Sequence, residues 1–196
     1  MAFWSDSRVE PKRQFRWLFI IPGGNGQPAV ETYLIKGVNK PTTTLASTPV
    51  QYLQHTFKYP GRLTWNDVTV SLIDAIDPDT SSTLARLIQS SGYKIPTTEQ
   101  NAQFSFSKAN AVASLNNPRI QQLDGGNTIT GEPPKIIDEW TLINAWAKSV
   151  DFGGSLTYTS DDLVQLSLTI SYDWAEYSSR NLNSGQLERV LSGQSG

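Results

Sequence analysis

Cysteine is absent from this 196-residue chain, and histidine occurs once, as His55. The first absence excludes disulfides, thiolate metal sites and cysteine nucleophiles. The second leaves imidazole chemistry a single candidate. No nucleophile-elbow motif supplies a serine to go with it, and no second imidazole or thiol is there to share a metal. Between Gln54 and Thr56, His55 reads as a surface or interface residue. No metal, cofactor or catalytic residue is expected.

Long apolar runs are missing too. Nothing approaches the ~18 consecutive apolar residues of a spanning helix, and Met1 to Gln14 lacks the apolar centre of a signal peptide. The expectation is a chain that neither enters a membrane nor carries an export signal. Concentrated positive charge is also scarce: the formal net charge is -2, the pI about 5.4, and only Lys12, Arg13 and Arg16 lie close together. Proteins that hold nucleic acid tightly neutralise phosphates with clustered cations, so at most passive contact with DNA is expected.

What remains is a chain rich in Thr, Ser and Asn, with 38% hydrophobic residues and a mean hydropathy of -0.35. That describes one β-leaning globular domain with arms. The strongest pattern runs from Asp162 to Trp174. Val164, Leu166, Leu168, Ile170, Tyr172 and Trp174 alternate with Gln165, Ser167, Thr169, Ser171 and Asp173, so an extended chain has one core face and one small polar face. As one strand it would reach roughly 40 Å, about twice the usual length.

Other elements follow from similar signals. Phe15 to Ile21 and Thr32 to Val38 read as strands, the second with Tyr33 and Ile35 on one face. Asn39 to Gln54 is too polar for core and reads as a functional or disordered connection. Leu63 to Ile73 is a strand with Val68, Val70 and Leu72 inward. Trp65 breaks its alternation, which predicts a bulge near Asn66 and Asp67. A helix over Pro78 to Ser91 has Asp77 as cap, Asp79 at the positive end of its dipole, Leu84, Leu87 and Ile88 as its stripe, and Gly92 as its stop. Tyr93 to Phe106 is irregular, and Ser107 to Leu115 is a short helix. Arg119 to Leu123 and Lys135 to Trp146 are two strands joined by a Gly- and Pro-rich loop. After Tyr177 the composition shifts to Ser, Asn and Gly, read as a second arm or a disordered tail. Phe3 and Trp4 are aromatic anchors on an N-terminal arm that docks on its own domain or on a neighbour.

Several constellations fail as active sites. Asp77 to Ser81 begins like a calcium loop but has Ser82 where the turn glycine belongs and Ile88 where the bidentate glutamate belongs. The pairs Asp138-Glu139 and Asp161-Asp162 read as solvated strand ends rather than a glycosidase dyad. Gly23, Gly24 and Gly26, like Gly125 and Gly126, suit hairpin turns and not a phosphate cradle. Trp17, Trp65, Trp140, Trp146 and Trp174 lie inside expected strands, as core or interface filler. They leave a carbohydrate-binding β-sandwich module as an alternative of a different class, with a glycoside hydrolase behind it.

Gly61 to Leu72, then Glu139 to Gly153, then Tyr158 to Asp162 and Leu168 to Trp174, in that order, resemble the tail tube proteins of contractile-tailed bacteriophages. The resemblance spans Phe15 to Tyr177. It implies a mainly β fold with one main α-helix, an antiparallel sandwich- or barrel-like subunit whose strands join those of its neighbours into a continuous ring barrel. It implies an N-terminal arm over residues 1–14, a tube domain over 15–177 and a C-terminal tail over 178–196. Within the domain, 39–62 would be an inter-ring segment and 93–134 a loop-rich insertion.

Function is implied in the same way. The resemblance implies a structural, non-enzymatic virion protein of the viral tail, assembled in the host cytoplasm into stacked hexameric rings that conduct the genome. Its partners would be itself, the tail sheath, the tape-measure protein, and the baseplate and tail-terminator proteins, with double-stranded DNA passing without tight binding. Gln165, Ser167, Thr169, Ser171 and Asp173 are candidates to face the bore. Lys40, Pro41, Thr43, Pro49, Tyr52, His55 and Lys58 are candidates for contact with the adjacent ring. The tube of a phage-like injection or secretion system would share all of this.

Overall fold

The computed structural model describes residues 11–23, 29–126, 131–180 and 186–191. In chain order these form β1 (Trp17–Ile20), a 3-10 turn (Thr32–Leu34), β2 (Ile35–Val38), β3 (Thr42–Tyr52), β4 (His55–Asn66) and β5 (Val68–Ile73). The helices α1 (Thr80–Ser90), α2 (Glu99–Ala102) and α3 (Lys108–Leu115) follow. The chain ends with β6 (Arg119–Leu123), β7 (Ile136–Ile143), β8 (Trp146–Asp151), β9 (Gln165–Ser171), β10 (Trp174–Arg180) and β11 (Leu187–Leu191).

Two sheets share one core. The first has the order β1-β6-β7-β10-β11 and the second β2-β5-β9-β8. All their pairings are antiparallel. Alternation decides which side chains meet between them. Val68, Val70 and Leu72 of β5 sit opposite Ile170, Leu168 and Leu166 of β9, and all six are buried. From the other sheet come Phe19, Ile120, Leu142 and Ala175; Leu84 and Leu87 of α1 and Leu115 of α3 close the core. Each large aliphatic contributes about 1.5–3 kcal/mol on burial. A one-residue slip of β9 would turn its apolar row outward, so the register is strongly specified.

The long strand expected over Asp162 to Trp174 is two strands in different sheets. β9 belongs to the four-stranded sheet and β10 to the five-stranded one, with the crossing at Tyr172-Asp173. Three interactions fix the crossing. Tyr172 is buried with its hydroxyl donating to the Asn66 carbonyl at 2.8 Å. Asp173 accepts from Lys108 at 2.6 Å and from Asn144 at 2.8 Å. The buried set changes parity there, from Leu166, Leu168, Ile170 and Tyr172 to Ala175, and Trp174, expected on the core face, is exposed. An apolar residue at the next alternate position hides the bend in the sequence.

Other expectations are corrected in the same manner. Lys135 to Trp146 is broken at Asn144, whose φ is +54°, into β7 and β8. Thr32 to Leu34 is a 3-10 turn, and Tyr33 is exposed while Ile35 is buried. The Asn39 to Gln54 connection is strand from Thr42 to Tyr52. The expected bulge at Asn66 and Asp67 is instead a full break between β4 and β5 at Asp67. Asp79, not Asp77, caps α1, accepting from the Ser82 N–H at 2.8 Å. The stretch after Tyr177 extends β10 and supplies β11, which pairs with it. Pro11 to Gln14 lie against their own domain: Lys12 bonds the buried Asp138, and Gln122 donates to the Arg13 carbonyl at 2.7 Å.

Leu168 is fully buried at the centre of this core. Leu168→Asp should prevent folding, costing more than about 4 kcal/mol through lost burial and an unpaired charge. Far-UV circular dichroism and a thermal melt would test this. A soluble variant with the wild-type melt would mean that the faces are assigned the wrong way round.

Candidate assembly surfaces

β2 and β5 are neighbours, and both run on past the sheet into a two-stranded ribbon, β3–β4. Eleven residues of β3 at ~3.3 Å each carry it roughly 36 Å. Every residue of β3 is exposed, as is every residue of β4 except Trp65. An isolated two-stranded ribbon is marginal in water, so its root must be held. Trp65 packs against Tyr172 with ring centroids 6.0 Å apart. The Asn66 side chain donates to Thr42 at 3.0 Å and Thr44 at 3.1 Å. Asp67 pairs with Lys148 of β8 at 2.6 Å. Burial and the nearby Asp67 charge push the Tyr172 hydroxyl up to about 12, so it stays protonated and continues to donate to the Asn66 carbonyl.

The ribbon has two apolar patches on opposite faces. Leu45 pairs with Leu63 but Ser47 pairs with Pro60, so Gly61 and Arg62 stand opposite Ala46 alone. This is a bulge on β4. A Cβ on Gly61 would lie 3.1 Å from the Ala46 carbonyl oxygen and 3.2 Å from its Cβ, so glycine avoids crowding there. β3 alternates straight through. The pairs Thr43–Trp65 and Leu45–Leu63 therefore share one face near the root, and Thr48–Tyr59, Val50–Phe57 and Tyr52–His55 share the other near the tip. Val50, Tyr52, Phe57 and Tyr59 are between 48% and 67% exposed. Such a patch is a candidate interaction surface.

Of the residues expected to meet an adjacent ring, Thr43, Pro49, Tyr52, His55 and Lys58 lie on this ribbon. Thr43 sits on the root face. Tyr52 and His55 sit on the apolar tip face, and Pro49 and Lys58 on its polar reverse. Pro41 precedes β3, and Lys40 is held at the body by Gln122 at 2.7 Å. Leu45, Val50, Phe57, Tyr59 and Leu63, exposed on the same ribbon, were not among those expected. Their signal, apolar residues at alternate positions on both sides of Leu53-Gln54, is split by the bulge and diluted by threonine. Phe3 and Trp4 lie outside the described residues.

The candidate bore residues divide. Gln165, Ser167, Thr169 and Ser171 lie on the face of β9 away from the core, beside Thr69 and Ser71 of β5 and Ser149 of β8. Asp173 lies beyond β9 at the crossing, paired with Lys108. The hydroxyl row carries no lysine or arginine at its register positions. At its sides are the open edges of the sheet, β2 and β8. Among the described residues there is no group of three or more metal-ligating side chains. No described helix is long and apolar enough to cross a membrane.

No family model matches the chain, and no curated protein does. Solved structures do. A chain of the sixfold-symmetrised baseplate of the anti-feeding prophage superposes with a TM-score of 0.55 at 12% identity, over 86% of this chain and 96% of that one. A chain of the PVC sheath–tube complex, from an extracellular contractile injection system in its extended state, gives 0.56 at 16%, over 86% and 92%. The PVC sheath/tube terminator structure gives 0.55 at 16%, over 86% and 97%. At these identities what is shared is the fold. At that level the likeness to tail tube proteins holds.

Hydrogen bonding from Lys108, and then from Asn144, holds the Asp173 carboxyl below its ordinary value of 3.8. A depressed carboxylate stabilises the folded state above that ordinary value, and the contribution is lost as pH falls through the depressed one. The group is partly exposed, so solvent screens the effect. Asp173→Asn should lower the melting temperature at pH 7 and shrink its fall between pH 7 and pH 3, as followed by calorimetry. An unchanged acid-induced fall would mean that the pair contributes nothing.

Proposed function

We propose that this chain is a tube subunit that associates head to tail into rings and stacks those rings into the hollow conduit of a contractile tail or injection apparatus. The observation that carries this reading is the ribbon: about two dozen exposed residues, apolar on both faces, with no described part of its own chain to cover them. The second sheet supports it. β2 and β8 form its edges and run in opposite directions, because three antiparallel pairings separate them. β8 of one copy can therefore pair antiparallel with β2 of the next, and repetition around an axis closes the sheet and removes its edges.

The hydroxyl face of β5 and β9 then lines the bore, with Ser167, Thr169 and Ser171 at its centre and Gln165 at one end. A conduit for a polyanion works best with a neutral wall, since clustered cations would retain phosphates. Ribbons reach the adjacent ring through Tyr52, His55, Pro49 and Lys58. The partners of such a tube are the sheath around it, the terminator and baseplate at its ends, and a length-setting tape-measure protein inside it.

Two readings of the apparatus remain, and different observations favour each. The sequence resemblance points to a phage tail that delivers double-stranded DNA. The solved structures of similar fold come from injection systems, including a sheath–tube complex, and favour a tube that delivers another cargo. The assembly physics is common to both.

Phe57→Ser with Tyr59→Ser should leave the isolated fold within about 0.5 kcal/mol of wild type, because both rings are exposed there, yet abolish tubes in negative-stain images. Tubes of normal length would exclude the tip as a contact. Thr169→Lys and Ser171→Lys should assemble normally but slow DNA passage in particles carrying them. Normal delivery would remove these positions from the bore.

A further inference from the structure

Lysines and arginines that are scattered in sequence gather in space at one edge of the domain. A cavity of about 540 Å³ opens between residues 12–14, β2 and β6, with Lys12, Arg13, Lys36 and Lys40 around a floor that includes Trp17 and Ile120. Two of these cations are engaged. Lys12 pairs with the buried Asp138, and Lys40 donates to Gln122. Arg13 and Lys36 are exposed and form no ion pair with a described acid.

The opposite edge has the complementary character. β8 and the loop after it hold Asp151, Asp161 and Asp162, and no lysine or arginine follows Lys148 in that stretch. The loop from β8 to β9 is its most exposed part. Leu156 is 82% exposed and Tyr158 fully so, and Asp161 and Asp162 form no ion pair with a described cation. The loop's own cavity lies across the sheet, three strand spacings or about 14 Å away, and no residue of the loop lines it.

We propose that the β8–β9 loop of one copy seats over the basic cavity of the next, with Asp161 and Asp162 against Arg13 and Lys36 and Tyr158 toward the Trp17 floor. This rests on the ring reading, because pairing β8 with the neighbour's β2 brings this loop beside that cavity. The contact is heterologous, cavity to loop, so every subunit gives one and receives one, and the charge pattern rejects the reversed orientation. It also explains why a chain of net charge -2 keeps a cluster of cations away from the bore: they are addressed to its own acids.

The test is a charge swap on the full chain, read by sedimentation velocity and negative-stain microscopy at low and high salt, with circular dichroism as the folding control. Arg13→Glu with Lys36→Glu should fold normally but need at least tenfold more protein to form rings. Asp161→Lys with Asp162→Lys should behave likewise, and the four changes together should restore ring formation. Rings from either charge-reversed protein at wild-type concentration would overturn the proposal and leave the ring reading standing. A wild-type chain that never forms rings would overturn both. A short DNA duplex whose binding needs Arg13 and Lys36 while assembly does not would also overturn it, by giving the cavity a polyanion instead of a loop.

Discussion

The pairing of β5 with β9 is the constraint from which the rest of the arrangement follows. Val68, Val70 and Leu72 face Ile170, Leu168 and Leu166 across one ladder, and all six side chains lose essentially all contact with water. A shift by one residue would exchange that row for serine and threonine. With the register settled, three things have no freedom left. The chain before Val68 must leave the sheet as the ribbon, the chain after Ser171 must cross to the other sheet, and the hydroxyls between the buried residues must all face one way.

The ribbon is stable enough to project because its root is tied to that same ladder. Tyr172 closes β9 and reaches the Asn66 carbonyl, and Lys148 of the neighbouring strand holds Asp67. Beyond the root the ribbon has hydrogen bonds but no core. Its apolar side chains are stabilising only when another surface covers them, which couples the order of the tip to association. The bulge at Gly61 presents apolar rows in two directions, so one ribbon can bridge two neighbours that lie on opposite sides of it.

Charge is arranged by the same geometry. Lys12, Arg13, Lys36 and Lys40 are brought together where residues 12–14 and β6 face β2, and the acids near Asp162 hang from the β8 edge. Such an arrangement is invisible in a net charge of -2. The basic cluster has no place on the row through Ser167, Thr169 and Ser171. Asp151, opposite Ser167, is the one charge at its register positions, so a prospective bore is free of cations while both edges carry complementary charge.

Local chemistry alone determined a good deal. Ser107 before a helical stripe, Asn116 after it, Gly92 with its φ of +114°, and the alternation of β5 and β9 are short-range signals whose physical effect needs no distant partner. The main helix was legible, though its cap moved from Asp77 to Asp79, because either carboxylate can accept a helix N–H and only backbone geometry chooses. What only the tertiary structure decided depended on partners far apart in sequence. Whether Asp162 to Trp174 stays straight depends on Lys108 and Asn144 capturing Asp173. Whether the polar run after Asn39 becomes strand depends on its pairing with His55 to Asn66. Whether dispersed cations become a cavity wall depends on residues 12–14 and β6 coming to face β2. A sequence records which side chains alternate and which residues can cap or turn; it does not record where a ladder ends, because that is set by the energy of contacts that exist only after folding.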